Sequence, residues 1–310
     1  MLRIFRTIHR NVEEIDTIED GCWIALTDPT ARELFTVTSE LGIEVDALRA
    51  PLDEEERARI EVEDDYTSMI FDIPTTEERN DKEYYITIPV GIFITKEHIV
   101  TVCLEDTPIL EAFMDGRVRN CWTNRRTRFM LQILNRTVNV YLQYLRMIDK
   151  KSDEFSEKMH ETTDNQALID MLELEKSLVY ISTSLRSNDI VLERLKKVST
   201  LKFFQEDEEL LEDVLIDHRQ ALEMADIYDS VLSGTMDAYA SVISNNMNIV
   251  MKVLTIISIV MAVPTLIASA WGMNVPVPLA NHPQGFLILC IISVVLSAMC
   301  LFVLNKFDML

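Results

Sequence analysis

Residues 253–271 carry no charged side chain, residues 285–304 carry none either, and only a short segment separates the two runs. At about 1.5 Å per helical residue, each run reaches across a bilayer core of about 30 Å. The chain is therefore predicted to end in a two-helix membrane hairpin, which restricts everything before it to one side of the membrane. The first run is not uniformly apolar. Asn248, Met251, Thr255, Ser258, Ala262, Thr265 and Ser269 recur at alternating steps of three and four, which places them on one stripe of a helix. Hydroxyls and amides are costly against lipid, so the stripe should face another helix or water. Helix packing and the lining of a pore both satisfy that demand, and periodicity alone does not choose between them.

The end of the first run is more specific. Gly272-Met273-Asn274 follows Trp271, and VPVPLANHPQ then supplies three prolines that cannot continue a helix. Glycine lets the backbone turn closely, and Asn274 offers an amide oxygen at the membrane face. With NIVMKVLT at 248–255, WGMN at 271–274, two closely spaced C-terminal spans and a long helix leading into them, the chain resembles the CorA family of divalent-cation, chiefly magnesium, transporters. These motifs cover about the last third of the chain. The resemblance implies a homopentamer with a cytoplasmic funnel, with Gly272, Met273 and Asn274 as the selectivity element and the stripe lining the pore. It implies Mg²⁺ as the ion carried and as a regulatory ligand. An inhibitory intracellular site would use Asp213, in EDVLIDH, or its neighbour Asp217. Two features depart from the family's habit: the outer loop has no acidic residue, only His282, and the C-terminal tail keeps a single lysine, Lys306. Transport of Co²⁺, Ni²⁺ or Zn²⁺ is the alternative within the family, although an intact Gly-Met-Asn favours magnesium. A membrane-anchored scaffold is the alternative outside it, and it leaves the stripe and the tripeptide without a purpose.

The remaining residues read as an α+β membrane protein with a cytoplasmic α/β domain, a long helical stalk and the two spans. The predicted boundaries are 1–120 for the α/β domain, 121–247 for the helical bundle and stalk and 248–271 for the pore-lining span. The outer loop is expected at 272–284, the second span at 285–304 and a cytoplasmic tail at 305–310. Segments 2–8, 22–26, 58–63, 66–73, 84–95 and 99–104 are rich in Ile, Val, Tyr, Phe and Thr and read as strands of an antiparallel or mixed sheet, with TTEERNDKE as a turn. Thr30 and Gly42 bracket one helix and Thr107-Pro108 opens another. Helices are then predicted at 125–159, at 168–201 and from about 207 without interruption into the membrane, with Gly234 as the weak point. In that last helix His218 reads as a buried or interface residue before a metal ligand. The acidic run Glu206 to Asp213 reads mainly as a solvated helix start favoured by the helix dipole.

The chain has 29 basic and 51 acidic residues, a net charge of −22. That balance disfavours nucleic acid and suits the attraction of cations; it is also what a soluble surface requires. Five cysteines without CxxC spacing read as reduced packing residues. No phosphate loop, HExxH or serine elbow occurs, so an enzyme is not expected. Lys252 and Lys306 flank the hairpin and its loop has neither Lys nor Arg, which predicts both termini in the cytoplasm. The expected partners are membrane lipid and further copies of the chain, because two helices cannot enclose an aqueous path.

Overall fold

The structure is a computed structural model of the 310-residue chain; it describes all residues except 80–81, 162–164, 275–276, 279–282 and 307–310. His282 and the end of the tail therefore lie outside the described residues. The chain forms two compact units, Met1–Thr235 and Met236–Leu310.

The first unit is built on a seven-stranded mixed sheet. Its strands are β1 (Leu2–Ile8), β2 (Asn11–Ile15), β3 (Trp23–Thr27), β4 (Arg59–Val62), β5 (Tyr66–Arg79), β6 (Lys82–Thr95) and β7 (Ile99–Cys103), in the spatial order β2-β1-β3-β7-β6-β5-β4. Only β3 and β7 run parallel; every other pair is antiparallel. Helix α1 (Ala31–Leu41) opens with a reciprocal capping box between Thr30 and Glu33 and stops at Gly42 in the left-handed region, so both expected ends are present. Helix α2 (Val45–Arg49) and a 3-10 turn (Ala50–Leu52) follow. Gly91 permits that turn to lie on the sheet, since an added Cβ would come within 2.3 Å of Pro51 Cγ.

Strand alternation assigns the two faces. Ile24, Leu26, Val100 and Val102 join Leu34, Val37, Ile43 and Leu48 of α1 and its neighbours in one buried cluster. Trp23 takes the other face, with ring centroids 5.0 Å from both Phe5 and Phe129 and its indole donating to Thr101 Oγ1 at 2.9 Å. Phe129 belongs to α4 (Arg126–Glu161), which follows α3 (Pro108–Met114); α5 (Asn165–Leu195) returns beside α4 and also packs on β5 and β6. A strand covered on both sides reads as a near-continuous apolar run, as Trp23 to Leu26 of β3 does.

Two expectations need correcting, and one strand has no counterpart among them. The segment read as the turn TTEERNDKE is mostly strand, because the β5–β6 ladder runs out to Arg79↔Lys82. The reason is tertiary: Tyr85 is fully buried there against Tyr144 of α4, at 5.0 Å between centroids, so helix packing overrides polar composition. The polar edge strand β2 gave no apolar run to read. Helix α5 stops at Leu195 rather than near 201, where Lys197 and Val198 turn back onto Arg194 and Leu195.

Trp23 anchors the aromatic layer between sheet and α4. Trp23→Ala should destabilise the unit by about 3–5 kcal/mol. Thermal unfolding of the purified chain should then show a clear fall in melting temperature, whereas Trp23→Phe should cost markedly less.

Candidate functional site

Helix α6 runs unbroken from Gln205 to Trp271 and contributes to both units. Its start is not merely solvated. Asp207 is buried, accepts from the Phe204 amide at 3.1 Å and pairs with Arg128 of α4 at 3.2 Å. Farther along, Val214, Leu215, Ala221, Ala225 and Leu232 are buried, while Ile216, Ile227 and Val231 are each more than half exposed. His218 is fully buried, with Nε2 2.9 Å from the Leu185 carbonyl of α5. Burial holds its pKa below the ordinary histidine value, so it is neutral and donates from Nε2. It is a packing histidine, as its place in the apolar seam suggested. Gly234 does not interrupt the helix, and nothing lies within 4 Å of where its Cβ would be.

In the second unit, α7 (Gly285–Lys306) meets α6 where Ser297 reaches Val260. Both helices are long and apolar enough to cross a membrane. On α6, Ile256, Ile259, Val260, Val263 and Ile267 are half-buried, whereas Asn248, Met251, Thr255, Ser258, Ala262, Thr265 and Ser269 are all exposed. The stripe is thus uncovered within one chain. Three of its hydroxyls are already satisfied: Thr255, Ser258 and Thr265 donate to the carbonyls four residues back, at 2.8 Å each. Back-bonding of this kind removes the cost of a bare donor while leaving oxygen lone pairs directed outward.

Pro264 lies inside this span. It has no amide hydrogen, so the Val260 carbonyl loses its normal helical partner. Ser297 of α7 fills the gap, donating to that carbonyl at 3.5 Å. A break in the backbone ladder is thereby repaired from the neighbouring helix, as the hydrocarbon layer requires. Pro264 and Ser297 both stand within the charge-free runs, but their pairing depends on how the two helices meet, which residue order alone does not give.

The helix ends where the tripeptide begins. The Gly272 amide still bonds to the Ala268 carbonyl at 2.9 Å, and an added Cβ would meet that oxygen at 3.3 Å. Met273 and Asn274 are exposed beyond it. The Trp271 indole donates to the Pro278 carbonyl at 3.2 Å, spanning the tripeptide and tying the loop back to the helix end. The acidic candidates sit elsewhere: Asp213 is exposed and Asp217 half-buried on the first-unit part of α6. Among the described residues, no three metal-ligating side chains of one chain come together.

The family model described as CorA-like Mg²⁺ transporter protein matches residues 19–306. The chain belongs to this family. It is 30% identical over 294 residues to the cobalt/magnesium transport protein CorA of Methanocaldococcus jannaschii, covering 92% of this chain and 90% of that protein. It is 24% identical to the protein of the same description from Thermotoga maritima, over 88% and 78% of the two chains. The solved structure of the complete CorA magnesium transporter from M. jannaschii superimposes with a TM-score of 0.83 at 27% identity, covering 100% of this chain and 99% of that one. The full-length CmaX protein, at 14% identity and a TM-score of 0.72, shares the fold. CorA-like proteins are membrane transporters and not enzymes, so the recognition made from NIVMKVLT and WGMN, with its α+β membrane fold, holds along the chain.

The Pro264–Val260–Ser297 arrangement gives a testable consequence. Ser297→Ala leaves a carbonyl bare and should cost about 1–2 kcal/mol, read as a lower melting temperature of the purified protein in detergent. Ser297→Thr keeps the hydroxyl and should restore it.

Proposed function

We propose that the chain is the subunit of a homo-oligomeric channel that carries Mg²⁺ into the cell, with Co²⁺ as a competing substrate. The observation that carries this reading is the uncovered stripe from Asn248 to Ser269, ending at Gly272-Met273-Asn274, in a chain of the CorA-like family. Several copies, each turning its stripe inward, enclose a path lined by hydroxyl and amide oxygens and methionine sulfur. The exposed apolar face of α6, with Ile216, Ile227 and Val231, offers surface for the same assembly. Five copies follow from the family resemblance.

Mg²⁺ gives up its waters reluctantly, which favours a filter that holds the hydrated ion through its shell. A ring of neutral Asn274 oxygens does that without the tight binding fixed carboxylates would impose, and the stripe contains no Asp or Glu. Gly272 keeps the backbone close to the helix end, and Met273 completes the rim. Lys252 and Lys306 flank the hairpin, which supports an orientation with both termini in the cytoplasm. The net charge of −22 raises the local cation concentration around the large N-terminal unit. The M. jannaschii relative, described as a cobalt/magnesium transport protein, supports Co²⁺ as the second ion.

Regulation by internal Mg²⁺ is assigned to Asp213, with Asp217 beside it. An exposed carboxylate that belongs to no cluster of three metal-ligating side chains among the described residues suits an ion shared with a neighbouring subunit. Bound Mg²⁺ would favour the closed arrangement, and its loss would leave like charges whose repulsion favours opening.

Two outcomes are expected. In proteoliposomes, Asn274→Ala should abolish Mg²⁺ uptake while the oligomer persists by light scattering; wild-type flux in an assembled variant refutes the filter. Asp213→Ala should weaken inhibition of flux by internal Mg²⁺, with maximal flux retained. If both Asp213→Ala and Asp217→Ala leave inhibition intact, this part of α6 is not the sensor.

A further inference from the structure

Pro264 divides the polar stripe of α6. Asn248, Met251, Thr255, Ser258 and Ala262 precede it, while Thr265, Ser269 and Gly272-Met273-Asn274 follow it. The ring removes one bond of the backbone ladder and crowds the Val260 carbonyl, four residues back. The outer part of the stripe and the tripeptide therefore hang on the inner part through a weakened turn.

Two hydroxyls hold the carbonyls of that turn. Thr265 donates to the Met261 carbonyl at 2.8 Å, from the exposed stripe of the same helix. Ser297 donates to the Val260 carbonyl at 3.5 Å, from α7. On α7, Ser293, Ser297, Cys300 and Leu304 recur at steps of four, three and four and are half-buried, as are Val260 and Val263 on α6. This is the face of α7 that meets α6. The Thr265 bond stays within one helix, whereas the Ser297 bond ties the turn to a second one. We propose that Ser297 is a positioning residue for transport: by pinning the Val260 carbonyl it keeps the outer stripe and the tripeptide in line with the inner stripe. The assignment rests on the stripe being the ion path.

The consequence for transport differs from that of plain stabilisation. Leaving the carbonyl bare shifts the balance between aligned and misaligned arrangements by about fivefold, the low end for a buried unpaired group. Half-saturation by the ion rises by the factor through which the aligned fraction falls. Mg²⁺ bound at the tripeptide draws the population back, so maximal flux is regained at high concentration. A merely stabilising contact acts otherwise: its loss leaves fewer intact channels, which lowers maximal flux and leaves half-saturation where it was.

Mg²⁺ uptake into proteoliposomes holding equal amounts of assembled protein tests the assignment. Ser297→Ala should raise the half-saturating Mg²⁺ concentration about fivefold with maximal flux kept, and Ser297→Thr should restore the wild-type value. Ser297→Cys, of similar size but a weaker donor, should give a smaller rise, and it serves if Ser297→Ala does not assemble. In a Pro264→Ala background the new residue supplies the missing amide hydrogen, so adding Ser297→Ala should move half-saturation no further. Unchanged half-saturation in the Ser297 variants, a loss confined to maximal flux, or an equal effect of Ser297→Ala in both backgrounds overturns the assignment while leaving the pore reading intact. Wild-type flux in an assembled Asn274→Ala protein is the separate result that removes the filter.

Discussion

Hydrocarbon offers no hydrogen-bond partner, and the C-terminal part of this protein is arranged around that fact. Every backbone carbonyl and hydroxyl in the spans must find its partner within the protein or face water. Thr255, Ser258 and Thr265 donate into their own helix. Val260, deprived of its amide by Pro264, accepts from Ser297. These internal satisfactions make it affordable to keep a row of oxygen atoms on one side of α6 without burying it inside the chain. The stripe is uncovered within one chain, as are apolar residues such as Leu254, Ile257 and Leu266; lipid suits those, but a stripe of lone pairs in a membrane needs either water or another subunit.

The first unit meets a different constraint. Its central strands are covered on both faces, by α1 and α2 on one side and by α3, α4 and α5 on the other, so its polar side chains must be placed deliberately. Trp23 spends its indole hydrogen on Thr101, and Asn188 acts as a substitute strand partner for Asp72. Asp207 is buried but paired with Arg128.

The proposed transport and the fold share one element, α6. Its first part is set by apolar packing and by the caps that begin the helix; its last part is set by the membrane and ends in the tripeptide. The helix is continuous in sequence through Gly234 and Pro264. The Trp271 bond to the Pro278 carbonyl supports the loop at the point where Gly272, Met273 and Asn274 leave that helix.

Much of this was legible in the order of residues, because local chemistry dictates it. Charge-free runs of spanning length, a 3-4 polar period, the capping box of Thr30, the Gly42 stop and the Trp-Gly-Met-Asn ending each depend on neighbours within a few positions. Membership of the CorA-like family could be read from the same local signals. Other features came only from tertiary structure, since they depend on residues far apart in the chain. The polar outer half of the β5–β6 hairpin is strand because Tyr144 and its helix cover Tyr85. Asp207 is buried because Arg128 waits on another helix. Asn188 reaches Asp72 because α5 packs on β5, and nothing in the words IFDIP marks it. Sequence determined which stretches must enter the membrane and what they present there; packing decided which buried polar groups received partners and which did not.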